Sequence, residues 1–196
     1  MKKILSACSL IIAIIFSATA LAEVKPGQKA PVFTGTTTSG EPISLENFKG
    51  KFVVLEWFNP GCPFTGKHYK SNNMQTLQKN YTSKNVVWVS INSGSGDASK
   101  KINDWATSVS AAASYYISDK GSAIASLYEA KATPHMFVID PNGILIYAGA
   151  IDDKRSTDVE DIVSAKNYVS SALDQALAGK EVETKSTKPY GCPVKF

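Results

Sequence analysis

The sequence predicts an α/β fold in which a mixed central sheet carries helices on both faces. Three observations lead there. Residues 52–58 and 86–92 are apolar runs of strand-forming residues, as expected of strands covered on both sides. Segments of helical spacing follow each of them. A hairpin signal, Asp140-Pro141-Asn142-Gly143, then joins apolar residues 136–139 to 144–147. With 196 residues and 43% hydrophobic content, the chain can bury one core and fits one domain with short extensions.

The start of the chain reads as an export signal. Met1-Lys2-Lys3 is cationic, residues 4–19 are apolar, and Ala20-Leu21-Ala22 is a small-x-small cleavage site. The organisation expected is therefore a signal peptide at 1–22, a domain at 23–179 and a tail at 180–196. An uncleaved anchor is the alternative, since the apolar run approaches the ~20 residues that span a bilayer. Leu5-Ser6-Ala7-Cys8 looks like a lipoprotein box, but its apolar run lies after the cysteine, where such a signal has none. Cleavage removes two lysines and no acid, which takes the net charge from +4 to +2. No basic run remains, so nucleic acid is not an expected partner, and neither is a membrane once the signal is gone.

The elements follow in order. Residues 27–33 lead in, 36–41 form a turn, and 43–45 make a short strand ending at Lys49-Gly50-Lys51. The buried strand 52–58 stops at Asn59-Pro60-Gly61. Pro63 suits a first helical position, so a helix is expected from 63 to about 81, with Gly66 its weak spot. After the strand at 86–92 and a Gly/Ser loop, Ile102, Trp105 and Val109 mark a helix from 98 to about 109. Residues 115–117 read as a third parallel strand and 122–130 as a short helix. The hairpin comes next. Ile162, Val163, Tyr168, Val169, Leu173 and Leu177 then mark one closing helix over 159–177, and from Lys180 the tail is polar and flexible.

Removal of Cys8 leaves Cys62 and Cys192 in an oxidising compartment. Two cysteines in a domain this large are one staple or working thiols. Cys62 stands where a buried strand ends and a helix begins, so its sulfur faces the free amides and the positive end of that helix. Such a position stabilises the thiolate, the nucleophile towards both disulfides and peroxides. A buried structural cysteine is the ordinary alternative; the position favours the reactive one. Phe64 can cover one side of the site.

Here the residues carry a resemblance. Gly27-Gln28-Lys29-Ala30-Pro31-x-Phe33, Gly50-Lys51 and the strand into Trp57-Phe58-Asn59-Pro60-Gly61-Cys62-Pro63-Phe64-Thr65 resemble the thioredoxin superfamily, within it the redoxin and peroxiredoxin-like (AhpC/TSA-type) branch. Thr133-Pro134 before the hairpin is similar to the cis-proline segment of that fold. Residues 147–153 and Tyr190-Gly191-Cys192 fit a group of exported peroxiredoxin-like proteins. The resemblance implies a thioredoxin-like fold and a thiol oxidoreductase without cofactor, whose partners are a peroxide or a disulfide-bearing substrate and a thiol electron donor.

It also implies roles. Cys62, Cys192, Thr65 and Pro134 are the expected catalytic residues, and Pro63, Phe64, Thr133, Pro134 and His135 the expected substrate contacts. Pro134 is expected to be cis, leaving the backbone before it free to pair with a polypeptide substrate. The departures matter too. A thioredoxin-type pair would put a second cysteine at Thr65, and typical peroxiredoxins carry threonine where Asn59 stands. They also use an arginine near the site, whereas the only arginine here is Arg155. The Thr65 hydroxyl either supports the sulfur or is an ordinary first-turn group.

His135 either tunes Cys62 or is turned away by strand alternation, and His68 is expected at the surface. Cys192 resolves an oxidised Cys62 within one chain, does so across a dimer, or stays independent. Three function classes follow. The leading one is a peroxidase or disulfide-exchange enzyme. The second is a Cu(I)-binding module built from Cys62, Cys192 and His135, although no close-spaced metal motif is present. The third is a redox-inactive protein whose cysteines form a staple.

Overall fold

A computed structural model describes residues 24–196. The expected signal peptide, its expected cleavage after Ala22, and Cys8 lie outside the described residues. Among those described, no helix is long and apolar enough to cross a membrane.

The short strands β1 (Thr34–Thr36) and β2 (Pro42–Ser44) pair as an outlying hairpin. The central sheet is built from β3 (Val53–Trp57), β4 (Val87–Gly94) and β5 (Tyr115–Lys120), with the hairpin β7 (His135–Ile139) and β8 (Leu145–Gly149). Its order is β5-β4-β3-β7-β8. β3, β4 and β5 run parallel, and β7 is antiparallel to both β3 and β8. Two further strands, β6 (Ala132–Thr133) and β9 (Cys192–Pro193), pair outside it. The helices are α1 (Pro63–Lys70), α2 (Asn73–Thr82), α3 (Ser99–Ser108), α4 (Ala123–Leu127) and α5 (Tyr168–Leu177). This is the thioredoxin-like mixed sheet that the sequence predicts.

Strand alternation sorts the core into two layers. Val53, Leu55 and Trp57 face the lead-in segment, the β1–β2 hairpin and α4. Val54, Trp88, Met136 and Val138 face α1, α2 and α5. Glu56 also points to this second face and is fully buried. Its carboxyl accepts hydrogen bonds from the Tyr69 hydroxyl (2.9 Å), Gln78 Nε2 (3.1 Å), the Trp88 indole (2.8 Å) and the Ser90 hydroxyl (2.8 Å). Burial raises its pKa against those four donors. The network ties α1 and α2 to β3, the strand that leads to Cys62.

Two expected helices divide. The segment after Pro63 breaks at Ser71-Asn72, not at Gly66, because Asn72 takes a left-handed conformation (φ 60°) that asparagine tolerates. The Tyr69 carbonyl accepts from the Asn72 amide at 3.2 Å and from Gln75 Nε2 at 2.9 Å, which stabilises the break. The closing helix also comes in two pieces. Residues Glu160–Ser164 form one 3-10 turn with Val163 94% exposed, and α5 starts afresh at Asn167, whose Oδ1 caps the Ser170 amide at 2.9 Å.

Candidate active site

The chain leaves β3 through a turn that Asn59 builds. Its Oδ1 accepts from the Gly61 amide (2.8 Å) and its carbonyl from the Cys62 amide (3.0 Å). Cys62 is the N-cap of α1, Pro63 fills the first helical position, and the sulfur-bearing residue is 2% exposed. As a thiol, Cys62 donates to the Thr133 carbonyl at 3.0 Å.

Burial works against the Cys62 thiolate, but the donors around it win. The Cys192 thiol, the Thr133 side chain and the amides of Thr65 and Cys192 together bring its pKa below the usual thiol range. The Thr65 amide makes no capping bond to the Cys62 side chain, yet it favours the anion. The Thr65 hydroxyl is fully buried without a hydrogen-bond partner. What reaches the sulfur from this residue is therefore its backbone.

The Thr133–Pro134 peptide is cis. The backbone before it is not free: Thr133 pairs with Cys192 and Ala132 with Pro193, so the chain's own β9 holds that edge. Gly191 makes the approach possible. At φ +137° it lies so close that an added Cβ would meet the Thr133 carbonyl oxygen at 2.1 Å. Cys192 is thereby brought, within one chain, to the Thr133 whose carbonyl accepts from the Cys62 thiol, and both thiols are free. Burial and the neighbouring Cys62 push Cys192 up to about 11.

The tail is not flexible, as its polarity suggested, but folded onto the domain. Val182, Tyr190 and Val194 are buried, the Thr187 amide donates to the Ala148 carbonyl at 3.2 Å, and the Ser122 hydroxyl donates to that of Lys195 at 2.8 Å. Tyr190 is its main anchor. Its hydroxyl donates to Asp152 Oδ1 and lies 3.4 Å from both Lys67 Nζ and His68 Nε2. Lys67 Nζ also donates to the Lys154 carbonyl at 2.6 Å and stands 4.0 Å from Asp152.

His68, expected at the surface, is fully buried in this cluster because α1 turns that face onto the tail. Burial and then Lys67 depress its pKa to about 3, so it is neutral. The sequence reading gave Lys67 no role and took Asp152 only as part of the 147–153 resemblance. Their role depends on partners up to 123 residues away, which periodicity cannot reveal.

Phe64 meets the Tyr190 ring edge-on at 5.9 Å and covers the site's flank, while Pro63 is exposed. His135 faces the other layer. Its ring lies 4.4 Å from that of Phe137, and Nδ1 accepts from the Lys131 amide at 3.2 Å. Burial and then Lys131 lower its pKa to about 3, which leaves it neutral and without a bond to the sulfur. Among the described residues, no three His, Cys, Asp or Glu side chains gather as a metal would require.

Comparison with known proteins agrees with this fold. The AhpC/TSA family matches residues 26–148, a span that ends before the tail. The thioredoxin-like protein YneN of Bacillus subtilis (strain 168) is 31% identical over 134 residues, 67% of this chain and 76% of that one. Among solved structures, an uncharacterized conserved protein from Geobacillus kaustophilus has a TM-score of 0.74 at 27% identity, covering 89% of this chain and 94% of the other. A hypothetical protein from Sinorhizobium meliloti 1021 shares the fold, with a TM-score of 0.72 at 22% identity over 88% of this chain and 94% of its own. The chain belongs to the AhpC/TSA family and is a thiol-dependent oxidoreductase of thioredoxin-like fold.

Proposed function

We propose that Cys62 is the reacting thiolate towards a small oxidant, a peroxide first of all, and that Cys192 of the same chain resolves it. The observation that carries this reading is the seating of Cys192 beside Cys62 by β9 on the Thr133 edge. That edge is where a polypeptide substrate was expected to pair, and the tail already occupies it. Burial of Cys62 to 2% exposure further favours an oxidant the size of a peroxide over a protein disulfide.

In the first step the Cys62 sulfur attacks one peroxide oxygen, the O–O bond breaks, and the leaving oxygen departs as water or alcohol with a proton. Cys62 becomes a sulfenic acid. That step removes the anion whose charge and hydrogen bond raise the Cys192 pKa. Cys192 can then deprotonate more readily and attack the Cys62 sulfur, expelling water and forming the disulfide. The two steps reduce one peroxide by two electrons, which the two thiols give up together with their protons as the disulfide forms.

The test is oxidation of the reduced protein by hydrogen peroxide, followed by mass. Expected is oxidation on the order of 10²-fold faster than an unactivated thiol's, ending in a Cys62–Cys192 disulfide found by non-reducing peptide mapping. Cys62→Ser should abolish it, and Cys192→Ser should stop at the sulfenic acid. A rate equal to a free thiol's would instead assign the protein to thiol–disulfide exchange on exported polypeptides, which requires the tail to leave the Thr133 edge.

Export itself rests on residues 1–22. Protein recovered from outside the cytoplasm should begin at Glu23, and recovery of the full-length chain in the cytoplasm alone would refute it.

A further inference from the structure

Resting on the reading above, we propose that an open groove beside Cys192 receives a low-molecular-weight thiol carrying carboxylates, which reduces the Cys62–Cys192 disulfide by attack on Cys192. The groove has a volume of about 790 Å³, within the range that seats small molecules. Gly191 and Pro193, on either side of Cys192, are part of its wall, as is Phe64.

Its charge is one-sided. Lys131, Arg155 and Lys188 line it, all three exposed, and no carboxylate does. Some lysines elsewhere are matched: Lys84 with Asp174, Lys100 with Asp104, Lys185 with Glu181. Among the described residues, neither Arg155 nor the ammonium groups of Lys131 and Lys188 have a carboxylate within 4.0 Å. Three unmatched cations converging on one furrow raise the local concentration of an anion there.

The chemistry selects the same sulfur. Cys192 is half-exposed, while Cys62 is buried, so an outside thiolate reaches Cys192 first. Attack there forms a donor–Cys192 bond and breaks the S–S bond, and Cys62 leaves with the electron pair. Cys62 is the better leaving group because its surroundings already favour the thiolate. A second donor thiolate then attacks the donor sulfur of the mixed disulfide and releases Cys192, which takes a proton. Two donor thiols are oxidised to one donor disulfide, and both cysteines are returned reduced.

The experiment starts from full-length mature protein in which the Cys62–Cys192 disulfide has been formed with diamide and verified by mass. Its reduction is followed at low ionic strength with mercaptosuccinate, 2-mercaptoethanol and cysteamine. Each rate is divided by that thiol's rate with a small uncharged disulfide. The dianionic thiol should be about tenfold faster than the neutral one and the cationic thiol slower still. The advantage should shrink in 0.5 M salt, and likewise in Arg155→Glu and in Lys131→Gln/Lys188→Gln. Equal normalised rates, or a preference that survives both variants, would overturn the proposal. If diamide joins the cysteines but peroxide does not, the peroxidase reading fails while the groove is still tested. If no oxidant joins them, both fail.

Discussion

Gly191→Ala is expected to leave the domain folded but to uncouple the two cysteines. The added Cβ would lie 2.1 Å from the Thr133 oxygen, 2.7 Å from its carbonyl carbon and 3.3 Å from Pro134 N. These are backbone atoms of the β6 edge, so they cannot swing aside as a side-chain end would. The residue's φ of +137° is unfavourable for alanine as well. The relief available is for β9 to lift from Thr133, and Cys192 goes with it. After treatment with peroxide, Cys62 should then accumulate as sulfenic acid, trapped with dimedone and seen by mass, and proceed to sulfinic acid. The disulfide yield should fall about tenfold, a loss of ~1.4 kcal/mol in the seating of Cys192. Far-UV circular dichroism should be unchanged. A wild-type disulfide yield would mean that the β6–β9 pairing does not bring Cys192 to Cys62.

The second large effect is expected at Asp152. Its carboxylate accepts from the Tyr190 hydroxyl and from the Lys154 amide at 2.9 Å, and it is the carboxylate nearest Lys67, whose side chain is fully buried. Asp152→Ala removes all three contacts and leaves Lys67 buried without its nearest counter-charge. Breaking such a pair costs about 3–5 kcal/mol. For a domain of this size that lowers Tm by roughly 10 °C. The tail should loosen at the same time, so that limited proteolysis cuts between Val182 and Tyr190 before the domain unfolds. Asp152→Asn keeps an acceptor for Tyr190 and should cost less. If Asp152→Ala melts within a degree of wild type, the buried cluster is not what secures the tail.

Much of the fold was legible because local signals and tertiary structure agree. The runs through Val54 and Val89 are strand-forming and apolar for the same reason that they become central strands: both their faces are covered. The Asp140–Gly143 turn specifies its hairpin locally, with Asp140 Oδ1 accepting from the Asn142 and Ile144 amides. Cys62 stood out because the breaker at Asn59-Pro60-Gly61 and the proline after it mark a strand-to-helix junction whatever lies around it. The helix breaks were less visible. Asn72 and Asn167 are the residues responsible, but whether an asparagine caps, turns or rides along a helix depends on its partners.

By itself, then, the sequence determined the order of strands and helices, the mixed sheet, and Cys62 at the start of α1. Each of these follows from residues a few places apart. Only the tertiary structure decided how the tail runs, why His68 and Lys67 are buried, and that Cys192 stands beside Cys62. The tail's anchors, Val182, Tyr190 and Val194, are single residues spaced through polar sequence, with no period to betray them. Tyr190 finds Asp152 38 residues back and His68 122 residues back. A contact at that separation leaves no trace in local composition, because what stabilises it is the burial and hydrogen bonding that appear once the rest of the fold is in place.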